Sequence, residues 1–476
     1  MSKAENSPEK PSDHIHELYE DIDHWEVNTG EETIHAKRMP GMFRNLKWLA
    51  ASTWLIFFFG PYLRWGDRQA ITFDIAGRQF HIFGITILPQ DVWMLSLVLL
   101  FFAILLAAVT SIAGRVFCGY FCFQTVWTDL FTWIEERLEG KPGARRKADK
   151  LPLLQRNMPR KILKHLIWIL IGAFTGISFT LWFGDAYEMW GDYFHLNVSL
   201  FSWIVVATFT FFTYLFAGFM REQVCLWLCP YARIQGVMLD VDTVVPTYDF
   251  HRGEPRARLK KGKHDPAEGD CIECNQCYAV CPTGVDIRNG QQEGCITCGL
   301  CLDACDSVMD KIDKPRGLIR YMSLDELQGK EQPPLYRRPR PLIYMSIMLL
   351  AAMGIIYGLT HLGSLELRIL HERQPLFVLQ SDGSIQNKYV FKVLNKTHDD
   401  MKIGVTAKSE HKLVLVGADR ELLAPPGRTS SFTLFVRIPK RELTAEREPI
   451  TFTIYNVDDD KITNTYESMF FGPRVR

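Results

Sequence analysis

Long uncharged stretches alternate with polar, charge-rich ones along this chain. Five apolar stretches, Trp48–Leu63, Val92–Ala113, Leu166–Gly184, Val198–Met220 and Leu342–Thr360, contain no Asp, Glu, Lys or Arg. A hydrocarbon core of about 30 Å is crossed by roughly 20 helical residues, so the pattern predicts a five-span α-helical bundle. The first stretch is short and ends in Gly60-Pro61, with Lys47 and Arg64 placed to snorkel from its ends. From Leu365 the helical period stops. Runs such as "KYVFKVLNK", "KIGVTA", "SSFTLFVRI" and "ITFTIYNV" are bounded by Gly, Pro, Asn or Asp, which predicts an all-β immunoglobulin-like sandwich. The segment "ITFDIAGRQFHIFGITI" alternates around Ala76-Gly77-Arg78 and predicts a β-hairpin at the membrane surface.

Charge orients the spans. Eleven Lys/Arg lie between Arg115 and Lys164, and seventeen between Arg221 and Arg340. The loop after the first stretch holds only Arg64, Arg68 and Arg78, and "DAYEMWGDYFHLN" holds none. Basic loops stay on the cytoplasmic side. The expectation is therefore a multi-pass bacterial inner-membrane protein with its N-terminus inside and residues 363–476 outside, in the periplasm. Lys+Arg and Asp+Glu are equal at 54, so no nucleic-acid partner is expected. The polar, acidic N-terminus lacks the apolar core of a cleavable signal peptide.

Cysteine placement adds chemistry. Twelve cysteines lie between Cys118 and Cys305, and clustered thiols of this kind read as metal ligands. "CIECNQCYAVCP" and "CITCGLCLDAC" repeat the two-cluster bacterial ferredoxin spacing, with Asp306 where the second proline would stand. The fourth ligand crosses over in that pattern. Cys271, Cys274, Cys277 and Cys305 are expected to hold one [4Fe–4S] cluster, and Cys295, Cys298, Cys301 and Cys281 the other. The plainer alternative is a pair of zinc knuckles. The flanks "HRGEPRARLKKGKHDP" and "PPLYRRPRP" suit solvated linkers or anionic lipid.

Four cysteines remain: Cys118 and Cys122 in "RVFCGYFCFQ", Cys225 and Cys229 in "REQVCLWLCPYARIQ". Each pair follows an apolar span. Each is preceded by an Arg, encloses an aromatic residue and is followed by a Gln. If the helices continue, thiols at i and i+4 share a face, and two such pairs could gather four sulfurs at the membrane border. Arg115 and Arg221 are expected to lower the thiol pKa values. Soft thiolates would take Cu(I), zinc or an iron–sulfur centre; small buried cysteines packed in a core are the alternative. In the tail, His14, His16 and His24 stand among carboxylates, a weak Cu(II) attractor or an acidic tail and no more. The sandwich has no Cys pair and no clustered His; docking or stabilisation is the expectation, surface metal binding the alternative.

The expected organisation is a flexible acidic tail over 1–40, four spans with their Cys-x3-Cys segments over 41–240, a ferredoxin-like α+β domain over 241–340, a fifth span over 341–362 and the sandwich over 363–476. In this combination, with "CGYFC", "CLWLCP", the doubled ferredoxin motif and "YVFKVLNKT", the chain resembles the FixG/RdxA/CcoG family from about Pro40 onward. These are membrane-bound polyferredoxin accessory proteins of cbb3-type cytochrome c oxidase assembly. The resemblance implies a cupric reductase that turns Cu(II) into Cu(I) at the cytoplasmic face. The copper would go to a chaperone or a copper-exporting P-type ATPase, with oxidase assembly factors as further partners and a homodimer possible. The eight ferredoxin cysteines match the family's cluster ligands; Cys118, Cys122, Cys225 and Cys229 match its membrane-border cysteines. Two other functions stay open: electron transfer between the quinone pool and a partner, or a non-enzymatic assembly scaffold. The sequence carries no Cys-x2-Cys-His haem site and no Gly-x-Gly-x-x-Gly fingerprint.

Overall fold

The computed structural model describes residues 34, 36–83, 85–149, 157–258, 268–361, 363–372, 374–397, 399–418, 422–459 and 461–473. His14, His16 and His24 lie outside the described residues. Two compact units emerge: residues 1–60, 97–181 and 191–353 in the first, and 61–96, 182–190 and 354–476 in the second.

Among the described residues four helices are long and apolar enough to cross a membrane: Val92–Ala113, Met158–Phe183, Leu200–Met220 and Pro339–Thr360. Their length and composition make the chain a membrane protein. The expected span at Trp48–Leu63 is helical, but in pieces. An α-helix over Met42–Ala51 gives way to a tighter 3₁₀ turn over Ser52–Trp54, a short α-helix over Leu55–Phe59 and a second 3₁₀ turn over Gly60–Tyr62. The hydroxyls of Ser52 and Thr53 donate to the carbonyls of Leu49 and Ala50 at 2.6 and 2.7 Å, competing with the regular ladder as short polar side chains do. Gly60-Pro61 then removes an amide donor.

In the first unit Met158–Thr180 packs closely against Leu200–Thr213. A Cβ on Gly172 or Gly176 would stand 3.0–3.2 Å from the backbone of Thr210 or Val206, so small residues are what let these backbones meet. Beside them Phe131 stacks on the fully buried Trp168, ring centroids 5.0 Å apart. Two carboxylates tie the polar loops together. Glu135 is paired with Arg145 at 2.7 Å, Arg221 at 2.9 Å and Lys164 at 3.3 Å. Asp129 meets Lys47 at 2.5 Å and Arg44 at 3.3 Å. Burial alone would raise the Asp129 pKa, but Lys47, Arg44 and Arg38 outweigh it and hold the carboxyl at about 2. The cysteine-rich part is anchored by a short antiparallel pair, Val245–Tyr248 with Ile319–Met322, and by the helix Leu300–Met309.

The second unit contains the expected sandwich. One sheet runs Val414–Val416, Thr429–Pro439, Ser384–Asn395, Leu365–His371, with Val378–Leu379 paired beside it; the other runs Leu422–Ala424, Met401–Lys408, Arg447–Asn456, Thr463–Phe471. Alternating inward residues fill the space between sheets, and Tyr389, Phe391, Phe452 and Phe470 are fully buried. Each such aromatic contributes about 1.5–3 kcal/mol by leaving water. Buried Asn387 bridges the sheets: its Nδ2 donates to the Phe471 carbonyl at 2.8 Å and its Oδ1 accepts from the Phe471 amide at 3.1 Å. The segment at 71–87 forms the expected hairpin, Ile71–Asp74 with Gln79–Ile82, extended by a third strand at Ile85–Ile87. It belongs to the same unit, where Gln79 donates to the Gly427 carbonyl at 2.9 Å.

Candidate metal centres

The two ferredoxin-spaced loops have one backbone. Glu273 and Asn275 lie two and four residues past Cys271, and both have positive φ, 51° and 56°; Thr297 and Gly299 occupy the same places past Cys295, at 49° and 73°. Three of these four are not glycine, so each loop holds residues in a sparsely populated region. The repeated left-handed turns curl each chain around a common centre, and a helix begins directly after each, at Gln276 and at Leu300.

The curl makes two small cavities. Cys271, Cys274, Cys277 and Cys305 line one; Cys281, Cys295, Cys298 and Cys301 line the other. The fourth sulfur of each set comes from the opposite motif. Within each set the thiols sense one another's charge, and burial is the larger influence, pushing Cys277, Cys295 and Cys305 up to about 12. The amides of Thr297 and Leu300 oppose that by donating to Cys295 and Cys298, and the Val285 amide donates to the Cys281 sulfur at 3.2 Å. Four sulfurs with inward amides around an otherwise apolar pocket fit a cubane cluster. Among the described residues no three His, Cys, Asp or Glu side chains close on a single ion.

The remaining four thiols also meet. Cys118, Cys122, Cys225 and Cys229 all lie within electrostatic reach of one another. The helices do not run through them as the i, i+4 argument required. Cys118 sits in the short helix Val116–Tyr120, whereas Cys122 is extended and caps the next helix, Phe123–Glu139. Cys225 lies in a wide π-helical turn, Val224–Leu228, and Cys229 is extended ahead of Pro230, which disfavours helix in the residue before it. The two breaks match. The Cys122 amide donates to the Phe117 carbonyl at 2.9 Å and the Cys229 amide to the Val224 carbonyl at 2.8 Å, each five residues back.

Each segment lends its glutamine to the other. Gln235 is fully buried, accepts from the Cys118 thiol at 2.9 Å, and donates to Thr110 and Tyr231 at 3.1 and 2.9 Å. Gln124 donates to the carbonyls of Phe216 and Arg221 at 2.9 and 3.0 Å. The arginines do not act as expected. Burial raises Cys118 to about 11 and Arg115 opposes it only partly. Burial and the neighbouring Cys122 and Cys118 thiols lift Cys225 to about 12. Arg221 is instead engaged by Glu135 and by the Gly218 carbonyl at 3.0 Å.

One border thiol, Cys118, abuts the second cysteine set. Cys118 packs in one apolar cluster with Val280, Ile296, Cys298, Leu300 and Ala304. The next residue has to be glycine: a Cβ on Gly119 would lie 2.6 Å from the Ile296 carbonyl and 3.1 Å from the Cys298 Cα. Tyr120 then donates its hydroxyl to the Cys298 carbonyl at 2.9 Å. Gly119, Tyr120 and the partnering of Gln235 were not singled out in sequence; only the glutamine left a trace there, as part of the repeated pattern.

Comparison with known proteins agrees with this architecture. Family models match as a 4Fe-4S dicluster domain over residues 220–324, a 4Fe-4S binding domain over 95–142 and an "IG-like fold at C-terminal of FixG" over 355–473. The chain is 36% identical over 468 residues to "Nitrogen fixation protein FixG" of Rhizobium meliloti, covering 87% of this chain and 88% of that protein. The chain belongs to the FixG/RdxA family. It is also 39% identical over 435 residues to "Protein RdxB" of Cereibacter sphaeroides, covering 88% of this chain and 91% of that one. A crystal structure of a FixG-related protein from Vibrio parahaemolyticus matches 23% of this chain and 97% of its own at 19% identity and a TM-score of 0.21. As a member of the family this chain is a membrane protein with iron–sulfur cofactors and a redox or electron-transfer role. Both segments that carry the border cysteines fall inside the 4Fe-4S family matches.

Proposed function

We propose that this FixG-family chain reduces Cu(II) to Cu(I) at the border thiols, using electrons held at the two ferredoxin-type cysteine sets. The observation that carries the reading is the contact between Gly119-Tyr120 and the Ile296–Cys298 backbone, which sets Cys118, one of the four border thiols, directly against the second set. In this reading Cys271, Cys274, Cys277 and Cys305 hold one [4Fe–4S] cluster, and Cys281, Cys295, Cys298 and Cys301 the other. Loaded, the clusters supply electrons one at a time.

The chain's own groups do the rest. Protonated border thiols lose protons as copper binds, and the soft thiolates favour Cu(I) over Cu(II). Thiols that gather without three closing on one ion suit the low coordination number Cu(I) accepts, and a low number leaves the product transferable. Gln235 keeps Cys118 oriented. The proposed setting is the inner membrane, with both centres on the cytoplasmic face, the sandwich in the periplasm and Trp48–Leu63 as a fifth crossing. A cytoplasmic donor would feed the clusters, and a copper chaperone or exporting P-type ATPase serving cbb3-type oxidase assembly would take the product. Cys225→Ala in the full-length protein tests this. Iron, sulfide and cluster spectra are expected to stay unchanged while Cu(I) binding and Cu(II) reduction fall at least about tenfold, the loss of one soft ligand being worth 1.4 kcal/mol or more. Unchanged copper titration and reductase activity would remove the border thiols from the reaction.

A further inference from the structure

A cavity of about 1010 Å³ lies within the first unit, outside both cysteine pockets. One strand runs along it. Val245–Tyr248 lines the cavity at every position, and Phe250 joins it just beyond. The same strand backs both cysteine sets, because Pro246 also walls the second pocket and Tyr248 the first. A flat ring laid along this strand stands beside both sets at once.

The rest of the wall is charged. Arg115, Arg233, Arg256 and Arg288 line it against Glu254 and Glu293, so cations outnumber anions two to one. Two of the cations are already held, Arg256 by Glu254 at 3.1 Å and Arg288 by Asp286 at 2.8 Å. Arg115 gives an N–H to the Glu293 carbonyl, and neither it nor Arg233 has a carboxylate partner among the described residues. Arg233, Gly236 and Val237 stand at i, i+3 and i+4 on the helix Pro230–Met238, so one helix face turns all three to the cavity. A guanidinium free of carboxylates is a natural phosphate ligand. The carboxylates of Glu254 and Glu293 suit the hydroxyls of a sugar chain and would be stranded beside an acyl tail, which argues against a phospholipid. A ring beside two one-electron acceptors has to give its electrons singly, as a flavin does and a nicotinamide, a hydride donor, does not. A mononucleotide needs no Gly-x-Gly-x-x-Gly turn, which serves the pyrophosphate of a dinucleotide.

We propose that this cavity takes reduced flavin mononucleotide (FMN) as the electron donor. Its phosphate lies on Arg233, its ring along Val245–Tyr248 and its ribityl hydroxyls toward Glu254. The proposal names the cytoplasmic donor of the function proposed above and rests on the two cysteine sets as cluster ligands. Oxidation of the ring breaks its N1–H and N5–H bonds. One electron leaves toward each cysteine set, and the two together reduce two Cu(II) to Cu(I) at the border thiols. Both protons go to water at the rim, where Arg233 and Glu254 are exposed.

Equilibrium dialysis of anaerobic full-length protein in phosphatidylcholine nanodiscs measures the binding of FMN, riboflavin and NADH. FMN is expected to bind once per chain, with riboflavin at least about tenfold weaker, or 1.4 kcal/mol, for want of the phosphate. Arg233→Gln should bring FMN down to the level of riboflavin and leave riboflavin unchanged. Gly236→Trp fills space where a Cβ meets nothing within 4 Å, and it should weaken both. Stopped-flow mixing with reduced FMN should give a cluster-reduction rate that saturates in the parent and stays linear in Gly236→Trp. Iron and sulfide on each sample report the cysteine sets separately; a shortfall there counts against the cluster ligands, while dialysis still decides the cavity. Riboflavin binding as tightly as FMN, variants that bind FMN like the parent, or tighter binding of NADH would overturn the site. So would displacement of FMN by added phosphatidylglycerol, or a parent rate that never saturates.

Discussion

The ferredoxin-type loops and the membrane-border segments both gather cysteines in fours, but they do so by different means. In the loops, three sulfurs come from seven consecutive residues whose left-handed turns recur at the same offsets, 273 and 275 against 297 and 299. Only the fourth sulfur depends on the second motif packing against the first. At the border no segment supplies more than two sulfurs, and the set exists because Gln235 reaches Cys118 and Gln124 reaches the Arg221 carbonyl. The first kind of site is written locally; the second is a property of packing. A local site should fail all at once when a ligand goes, and a packed site by degrees.

The largest effect is therefore expected from Cys295→Ala. Removing one of four ligands leaves the second pocket unable to keep its cluster, so iron and acid-labile sulfide should fall by about half. The first cluster's EPR signal should persist, since its four cysteines line a separate cavity. Copper reduction should be lost while Cu(I) titration of the border thiols survives. Loss of both clusters together would show that the two pockets are one cooperative unit rather than two local sites.

How far each site can be read in advance follows the same division. The grouping of the eight cysteines into two pockets, Cys281 and Cys305 changing sides, matches what their spacing suggests, because three of each four lie on one loop. The sandwich is legible for a similar reason: strands such as Ser384–Asn395 alternate buried and open positions along their length. The border thiols are legible only as a rhyme between two segments. Their helical continuation fails at Cys122 and Cys229, where each chain turns extended to start a new helix; periodicity does not register a one-residue break. Arg221 looked like a thiol partner by proximity in sequence, but Glu135, eighty-six residues away, takes it. The broken helix over 42–62 hides in an apolar run because hydropathy is blind to Ser52 and Thr53 turning back on their own carbonyls.

A middle-sized effect belongs to the seam between the two sites. Gly119→Val places methyl groups where the Ile296 carbonyl and the Cys298 Cα already stand. Overpacking of this kind costs about 1–3 kcal/mol, and it is relieved by moving the border segment away from the loop. Both sites should load normally, with cluster spectra and Cu(I) stoichiometry unchanged, while electron passage between them slows. Stopped-flow mixing of pre-reduced protein with Cu(II) measures that passage directly. A rate equal to the parent's would mean that electrons reach copper by another route.

The smallest effect, and the sharpest about how packing makes a site, is expected at Gln235. An amide carries a donor and an acceptor, so Gln235 accepts from the Cys118 thiol as found and, turned about, donates to the thiolate that copper requires. Gln235→Leu keeps the apolar bulk but serves neither form; Cu(I) binding should weaken about threefold to tenfold, the worth of a single hydrogen bond. Gln235→Glu keeps the shape and the acceptor but, when ionised, sets a negative charge beside a thiolate. Its Cu(I) affinity should fall below that of the leucine variant, although its fold is the closer match. Competition titration with a Cu(I) chelator orders the three proteins. If leucine proves the weaker binder, Gln235 acts by filling space, and the border site owes its chemistry to the four sulfurs alone.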